Sequence, residues 1–490
     1  MKEGFKKYFF ALLFVVILGI FFRTYNFERG FSFAQDQDLY SLIAKDIVVD
    51  RHMRLVGQMT SVDGVFIGSM YYYLMAITYS FFNMNPMSAI LPLTLIGIFN
   101  ILSIFWISKR FYGKKVALIA ATISSISFGM AYYERWSVPT QPTISWCLWF
   151  MFVVLEFCRG RLKHLWLYAV LVALTWQVHI ALLPILPIPI VSYFLSKGRL
   201  REKIKKVSPK NIFLALGIFF LVSSPFWIFE IKHNFSQIRS VVAATTRGGY
   251  EGPVGMQKFY KVLDASGREI QQRLLFGWKV VLVNWVWLLI PMMIVFLGVK
   301  KKLLLTEIIS FCLWFFLIML AQFTSKSVVS EYYFTNMLPI LIVLFSLSLW
   351  FLRKELLYIL GLGYFLINLG WLLTRSDIYD SYFYRMRIVE DIKADILENS
   401  YPCIAINYIA DPGFGVGFRY LMWYSGIRVI KASDKVPVYD IVIPWQVSGD
   451  EIDLREGCFG LIKPKNKILV DPAVCQDIRY KLDPLLGYTE

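Results

Sequence analysis

The chain has 490 residues, of which 57% are hydrophobic and only 17% are charged, and its formal net charge is +17. A soluble domain carries about 25% charged residues, and here the apolar excess forms blocks of about 20 residues, the length that crosses a bilayer, so the composition excludes a soluble globular protein. The lysines and arginines lie in short clusters between these blocks, which is typical of cytoplasmic loops that face anionic lipid and argues against a nucleic-acid-binding protein.

Lys2, Lys6 and Lys7 precede a first apolar run from Tyr8 to Phe22. No small-residue cleavage site follows this run, so we expect an uncleaved anchor with its amino end inside. Hydropathy predicts ten further spans, which makes about eleven transmembrane helices in all. The ten lie at 87–108, 116–133, 142–158, 165–178, 180–196, 211–229, 279–298, 303–322, 335–352 and 355–373.

The loops between these spans alternate in charge. The strongly basic ones are "KRFYGKK" (109–115), "CRGRLKH" (158–164), "SKGRLREKIKK" (196–206), "VKKK" (299–302) and "LRKE" (352–355). All of them fall on the side of the amino terminus, and the acidic loops fall on the other side. Because basic loops stay in the cytoplasm, the sequence predicts a multi-pass protein of the cytoplasmic membrane whose C-terminal region lies outside.

The first outer loop, residues 24–86, holds two acids in "AQDQDLY" (34–40). Leu39, Ile43 and Ile47 follow at helical spacing, which predicts an amphipathic helix that starts near Asp38. Asp38 is then either its N-cap or a functional acid. Asp36 precedes the helix, and two acids at i, i+2 in extended chain point to the same side, so together they are candidates to bind a metal ion.

The same loop ends in "FIGSMYYYLMAITYSFF" (66–82), which is nearly a span long. Counting it as a span would place the basic loop 109–115 outside, so we predict a juxtamembrane helix on the outer leaflet. Its tyrosines, Tyr71, Tyr72, Tyr73 and Tyr79, would then suit the lipid–water interface.

After residue 373 the composition becomes that of a small α/β domain. Ile388, Ile392 and Ile396 are spaced as on a helix, "CIAINYIA" (403–410) and "DIVIPW" (440–445) predict strands, and "GFRYLMWYSG" (417–426) predicts another helix. The sequence thus predicts two domains, a transmembrane one at 1–373 and an extracytoplasmic one at 374–490. A Cys458–Cys475 disulfide is one pairing in the second domain and leaves Cys403 over.

Polar residues from several separate segments collect at the predicted outer surface, where ionisable groups usually have a function. Arg135 is our first choice to bind a phosphate, followed by Arg51 and Arg54, although each could instead snorkel to lipid head groups. Gln177 and His179 would position substrate, with a metal-binding histidine as an alternative. Glu331 would pair with Arg135 or contact sugar hydroxyls, and Tyr332 would be a sugar platform or an interface aromatic.

The succession "DQDLYSLIAKDI", "GSMYYYLMA", "KRFYGKKVALIAA", "YYERWSVPTQP", "WQVHIALL" and "EYYFTNMLPIL" resembles the GT-C superfamily of membrane glycosyltransferases, in particular the glycosyltransferase family 39-like branch of protein O-mannosyltransferases and lipid A aminoarabinose transferases. The resemblance covers roughly residues 5 to 350. It implies a polyprenyl-phosphate-linked sugar donor and an acid in the first outer loop that acts on the acceptor. Asp36 matches that acid by position, and Asp38 is the alternate.

The chemistry of such a transfer is consistent with these residues. A carboxylate would deprotonate the acceptor, and a cation would stabilise the leaving phosphate. Attack from the face opposite the leaving group would invert the sugar carbon. We expect no required cofactor, or else Mg²⁺ or Mn²⁺, a lipid, glycan or protein acceptor, and contacts with membrane lipids.

Two other hypotheses remain at this stage. One is a transporter or flippase of a lipid-linked substrate, a class that often shows inverted repeats and polar sites at the midplane of the membrane. The other is a non-catalytic scaffold that displays the C-terminal domain. We find no matching halves in the sequence, which favours the enzyme.

Overall fold

The computed structural model describes residues 2–60, 62–198, 208–246, 253–275, 286–325, 329–411, 416–447, 451–485 and 487–488. Up to residue 375 the described chain is almost entirely helical. Its α-helices are α1 (Lys2–Thr24), α2 (Phe27–Gly30), α3 (Gln35–Val48), α4 (Met70–Phe81), α5 (Ile90–Tyr112), α6 (Lys114–Ile126), α7 (Phe128–Arg135), α8 (Thr143–Cys158), α9 (Leu165–Val178), α10 (Ile188–Leu195), α11 (Pro209–Val222), α12 (Ser224–Lys232), α13 (Ser236–Thr246), α14 (Gly255–Ile270), α15 (Val286–Val299), α16 (Leu305–Thr324), α17 (Leu338–Leu349) and α18 (Lys354–Arg375).

Each of the eleven predicted spans coincides with apolar helix. Among the described residues, three helices are long and apolar enough to cross a membrane, or up to five if each of two bent pairs is one span. The bent pairs are α6 with α7, at 58°, and α11 with α12, at 62°. The other predicted spans fall on shorter apolar helices, and residues 279–285 of one lie outside the described part. The helices are those of a membrane protein, and the count of eleven stays a prediction.

Two of the predicted basic loops, 109–115 and 158–164, meet at one end of the helix bundle. Arg110 and Arg161, from two different loops, both pair with Glu156 at 2.9 and 3.5 Å. Arg159 pairs with Glu307, at the start of α16, at 2.5 Å. At the opposite end of the bundle the first and last membrane helices meet, because the Asn26 side chain donates to Oγ of Ser376 at 3.1 Å. These contacts bring separate loops together, and the alternation of basic and acidic loops along the whole chain stays a prediction.

The first outer loop folds into α2, α3, a two-stranded antiparallel sheet of β1 (Val56–Met59) and β2 (Phe66–Gly68), and α4. The twelve residues of α4 rise about 18 Å, too short for a bilayer core of about 30 Å. The predicted interface tyrosines are wrong in part: Tyr71, Tyr72 and Tyr79 are fully buried, because α4 packs against α3 and the C-terminal region.

The C-terminal region contains a five-stranded mixed sheet. It comprises α19 (Tyr382–Asn399), β3 (Ile404–Ala410), α20 (Arg419–Tyr424), β4 (Val429–Ile430), β5 (Val438–Ile443), β6 (Leu454–Glu456), β7 (Phe459–Ile462) and α21 (Pro472–Gln476). The strand order is β4-β3-β5-β7-β6, with β3 parallel to β4 and β5 and with β7 antiparallel to β5 and β6. The predicted helices and strands of this region are confirmed, and Ile388 and Ile392 are buried as their spacing predicts.

The disulfide of this region joins Cys403 to Cys475, with 5.8 Å between their Cα atoms. The predicted Cys458–Cys475 pairing is wrong. Cys403 immediately precedes β3 and Cys475 lies in α21, whereas Cys458 is at the turn between β6 and β7 and donates its N–H to the carbonyl of Tyr379 at 3.0 Å. The fold thus brings the more distant cysteine of the two to Cys475.

One hydrophobic core crosses the predicted boundary at residue 373. The first outer loop contributes Phe31, Phe33 and the buried tyrosines of α4 to the same cluster as Ile388 and Phe418 of the C-terminal region. A second large cluster lies within the helix bundle. The division into 1–373 and 374–490 stays a prediction, and the packing joins the first outer loop to the second part.

Candidate active site

Asp36 lies in the first turn of α3, and its side chain is exposed. The helix begins at Gln35, three residues earlier than predicted, because the Gln37 side chain accepts the Ala34 N–H at 2.9 Å and the Asp38 N–H reaches the Ala34 carbonyl at 3.0 Å. The extended Asp36–Asp38 pair predicted from the sequence is therefore wrong. On a helix, residues two apart diverge by about 200°, so the two carboxylates do not share a side.

The surroundings of Asp36 come from β1 and α4. Burial among protein atoms raises the pKa of Asp36 above its ordinary value, and a hydrogen bond with the Gln58 side chain opposes the rise. The Gln58 N–H donates to the hydroxyl of Tyr72 at 3.0 Å. Gly57 permits this close packing, since a Cβ atom there would lie 2.0 Å from the Tyr72 ring. Asp36 is thus a carboxylate that solvent reaches on one side and protein surrounds on the other.

Asp38 is different, since only 1% of it is exposed. Its Oδ1 accepts the N–H of Tyr420 at 2.6 Å, and its Oδ2 accepts the N–H of Arg419 at 3.2 Å. Burial raises the pKa of Asp38 to about 6, opposed by these two hydrogen bonds and by the charges of Arg385 and Arg419. The predicted N-cap role of Asp38 in α3 is wrong, because the N-cap residue is Ala34, and Asp38 instead caps the first turn of α20 in the C-terminal region. Both oxygens are occupied, which argues against Asp38 as a base or a metal ligand.

The three arginines predicted to bind phosphate have other surroundings. Arg135 is 3% exposed and donates to the carbonyls of Phe22, Arg23 and Tyr25 at 2.7–3.0 Å, which satisfies the carboxyl end of α1. Arg54 is buried and pairs with Asp46 at 2.8 Å. Arg51 is exposed in a left-handed conformation, with φ of 56°. Arg135 and Arg54 are therefore already bonded to groups of the protein, and a phosphate would have to displace the carbonyls from Arg135 or Asp46 from Arg54.

Gln177 and His179 lie where the first outer loop meets α9. The Gln177 Oε1 accepts the N–H of Met70 at 3.1 Å and so caps the amino end of α4. The Nδ1 of His179 accepts the N–H of Ala181 at 2.9 Å, and its ring packs edge-on to Tyr333 with centroids 5.3 Å apart. The Nδ1 of His179 is thus held by the turn that follows it, and its predicted role in positioning substrate stays a prediction.

His179 also lines a small cavity of about 10 Å³, the size of about one water molecule. Its other lining residues come from α7, the loop at 136–142, the start of α8, the turn after α9 and the segment 331–337, and they are Tyr133, Thr140, Thr143, Ala181, Leu182, Tyr333 and Asn336. Two of the predicted site residues, Glu331 and Tyr332, lie in the same 3₁₀ segment, Glu331–Met337, but their side chains are outside the described part of the chain. Polar groups from several separate segments therefore converge on this cavity.

The cavity and Asp36 are linked through the loop after α7. The Gln37 side chain, next to Asp36, donates to the carbonyl of Ser137 at 2.8 Å, and the Ser137 hydroxyl bonds the Tyr71 hydroxyl at 2.6 Å. Ser137 lies three residues before Thr140, which lines the cavity. The first outer loop thus packs against both the loop at 136–142 and the end of α9, and their predicted role as one site stays a prediction.

Glu269 and Arg273 were missed by the sequence analysis. Glu269 is fully buried, pairs with Arg273 at 3.1 Å and accepts the Thr335 hydroxyl at 2.6 Å. The Arg273 guanidinium lies 4.9 Å from the ring centre of Tyr133, which lines the cavity. Their i, i+4 spacing was a signal for a helical ion pair. These residues lie between two predicted spans, where the hydropathy pattern indicates no helix, whereas 255–275 is helical.

No group of three or more His, Cys, Asp or Glu side chains in the described ranges is arranged to hold a metal ion. The acidic groups near the site are instead paired with protein donors, as Asp38, Asp46 and Glu269 show. A role for Mg²⁺ or Mn²⁺ therefore stays an untested prediction.

Part of the chain matches one protein family, and the whole fold is similar to solved structures of one protein. Residues 68–229 match the family described as "Dolichyl-phosphate-mannose-protein mannosyltransferase". The chain is similar to ArnT from Cupriavidus metallidurans bound to undecaprenyl phosphate, at 11% identity and a TM-score of 0.57. It is also similar to ArnT of the same organism in the apo state, at 9% identity and a TM-score of 0.61. Each comparison covers 94% of this chain and 98% of the other. No curated protein sequence matches the chain.

Proposed function

We propose that this chain, whose fold is that of the GT-C superfamily of membrane glycosyltransferases, transfers a sugar from a polyprenyl-phosphate carrier to an acceptor at the outer face of the cytoplasmic membrane. The predicted resemblance is confirmed at the level of the fold. The activity is our proposal. It is supported by the matching family, whose description names a lipid-phosphate sugar, and by the similar ArnT structure that is bound to undecaprenyl phosphate.

The observation that carries the proposal is the contrast between the two acids of the first outer loop. Asp38 is buried and fully bonded, while Asp36 is exposed beside Gln58 in the first outer loop. A general base has to reach the proton that it removes, and only Asp36 of the two can do so. Asp36 would take the proton of the acceptor nucleophile as that nucleophile attacks the sugar carbon.

The geometry of the reaction follows from the single base. The acceptor attacks the face opposite the carrier phosphate, the bond between the sugar carbon and the phosphate oxygen breaks, and the configuration at that carbon inverts. The leaving phosphate keeps the electron pair and needs positive charge beside it. Arg273 lies beside the cavity, where its guanidinium packs on Tyr133, and it is less deeply buried than Arg135. We therefore propose Arg273 rather than Arg135 for this role, with the phosphate competing against its partner Glu269.

The experiment is an in vitro transfer assay with the purified full chain in proteoliposomes. A panel of polyprenyl-phosphate sugars is supplied with and without a chelator, and sugar transfer and carrier release are both measured. Asp36→Asn should lower turnover by about 10²–10⁴-fold or more, since that is the usual contribution of a positioned base. Asp63→Asn is the matched control, because Asp63 is an exposed acid in the same loop.

Two results would overturn the proposal. Wild-type turnover of Asp36→Asn would remove Asp36 from the mechanism. Movement of a lipid-linked sugar across the bilayer without release of the carrier phosphate would favour a transporter or flippase. Retention of donor binding by Asp36→Asn shows that the variant is folded and that the lost step is chemical.

A further inference from the structure

The segment that precedes the turn carrying Asp36 is held by the C-terminal region. The Ile378 N–H donates to the carbonyl of Arg29 at 2.9 Å, and the Tyr382 N–H donates to the carbonyl of Phe31 at 2.8 Å. Ser32 forms an isolated antiparallel bridge with Ser381. The segment that precedes α3 therefore pairs with the segment that precedes α19.

Arg385 extends this contact toward Asp36. It is 1% exposed, and its Nε donates to the carbonyl of Phe33. Its guanidinium lies 4.4 Å from the ring centre of Phe459 and 5.2 Å from that of Phe418. A buried arginine between two rings has little freedom, so the carbonyl that it holds is fixed with respect to the sheet.

Gly417 makes a further contact with the segment before α3, because its backbone lies against that of Ala34. Its φ is +63°, and a Cβ atom there would lie 2.7 Å from the carbonyl carbon of Ala34. Only glycine allows the two backbones to approach this closely. Two residues further on, the free N–H groups of Arg419 and Tyr420 meet the carboxylate of Asp38.

Asp38 and Asp36 share the first turn of α3. Any displacement of Asp38 within that rigid turn moves Asp36 by a similar distance. The carboxylate of Asp38 is bonded at both oxygens to the backbone of α20, so the position of the turn is set by the C-terminal region as much as by the membrane helices. Asp38, Arg385 and Tyr420 are buried, which restricts motion at the junction.

We propose that Asp38 is a positioning residue through which the C-terminal region sets the place of Asp36, and that transfer depends on this junction of Asp38, Arg385 and Gly417. The inference rests on the proposed role of Asp36 as the base. A displacement of about 1 Å in a reacting group can cost about 100-fold in rate without loss of substrate binding. The C-terminal region then contributes to turnover even where it does not touch the substrate.

The test uses the full-length chain with two variants that disturb the junction from opposite sides, Asp38→Ala and Gly417→Ala. Each should lower kcat by about 10–100-fold and leave the KM for the polyprenyl-phosphate sugar nearly unchanged. Asp38→Asn keeps one acceptor oxygen and should lie between Asp38→Ala and the wild type. Hydrogen exchange should become faster at the amides of Arg419 and Tyr420 in both Asp38 variants.

Two control variants match these changes. Asp471→Asn alters an aspartate that caps another short helix of the same region, where its Oδ1 accepts the N–H of Ala473 at 2.9 Å. Gly426→Ala places a side chain at another positive φ, +78°, with no atom within 4 Å. Both should keep the wild-type kcat.

The kcat and hydrogen-exchange results together distinguish a failure of this inference from a failure of the proposed function. Faster exchange at Arg419 and Tyr420 with a wild-type kcat in Asp38→Ala would overturn the positioning role. Complete loss of transfer in Asp38→Asn with unchanged exchange would overturn it too, because Asp38 would then act chemically. If Asp36→Asn keeps full turnover, the proposed base fails, while the exchange data still report the junction itself.

Discussion

The side chain of Gln177 lies directly against Gly68: a Cβ atom at residue 68 would come within 2.0 Å of the Gln177 Oε1. The same oxygen accepts the N–H of Met70 at 3.1 Å. The amino end of α4 and the end of α9 are therefore joined at a position where only a glycine fits. This contact ties the first outer loop to the helix that leads to His179.

Replacing Gly68 by alanine should break this joint. The added methyl group would push Gln177 away and leave the N–H of Met70 without its acceptor, so we expect a loss of about 1–3 kcal/mol in stability. Thermal unfolding of the purified protein in detergent measures it. Gly217→Ala and Gly361→Ala are the controls, because a Cβ atom at either helical glycine meets no atom within 4 Å. Equal stability of Gly68→Ala and the controls would contradict the contact.

Glu134 should be needed to neutralise Arg23 within the bundle. The two side chains are 2% and 1% exposed, with 2.5 Å between Nη2 and the Glu134 Oε2, and the other carboxylate oxygen accepts from Asn100 at 2.7 Å. Glu134→Gln leaves the arginine charge buried without its partner, and breaking such a pair costs about 3–5 kcal/mol. The yield of folded protein and its unfolding temperature report this loss.

The double variant Arg23→Met with Glu134→Gln is the informative control for that ion pair. Because it removes the unpaired charge, it should recover much of the stability that the single change loses. A double variant that is as unstable as the sum of both single variants would show that the two side chains act independently.

Gln58 should tune the pH dependence of transfer. Its hydrogen bond favours the ionised form of Asp36 and so lowers a pKa that burial raises. Without it the pKa of Asp36 rises further, and a base works only when ionised. Gln58→Leu should therefore move the acidic limb of the kcat/KM profile to higher pH, with less change in the rate on the plateau. An unmoved acidic limb would argue that Asp36 is not the titrating base.

The Cys403–Cys475 disulfide should stabilise the C-terminal region. It closes a loop of 72 residues, for which the loss of chain entropy in the unfolded state corresponds to about 4 kcal/mol. Cys403→Ser should lower the unfolding temperature of that region, whereas Cys458→Ser should have little effect. Mass spectrometry of unreduced peptides checks the pairing directly, and a Cys458–Cys475 peptide would contradict it.

The oxidation state of that disulfide also bears on the sidedness of the protein. Disulfides persist outside the cytoplasm and are rare within it. If the C-terminal region is outside, as we predict, the Cys403–Cys475 bond should be oxidised in membranes isolated with thiols blocked. A fully reduced pair in such membranes would place this region in the cytoplasm.

Local patterns determined the elements of this protein. Apolar blocks gave helices at each of the eleven predicted places, because a long apolar segment satisfies its backbone only by forming a helix in a membrane. Ile388 and Ile392 face the core of α19, and the predicted strands β3 and β5 form, because periodicity depends on neighbours along the chain. Hydropathy likewise places Asp36 in the loop that follows the first predicted span.

Tertiary structure decided which of these helices and strands contact one another and through which side chains. That Asp38 caps α20, that Arg135 closes the end of α1 and that Cys403 finds Cys475 all depend on contacts between residues far apart in the chain. The spacing of apolar residues along the chain does not predict such contacts, because a hydrogen bond or a buried contact with a distant residue forms only when the helices pack. The sequence by itself determined the helices, their alternating loops and the acid-bearing turn, and the packing of the C-terminal region decided which of the two acids stays open to solvent.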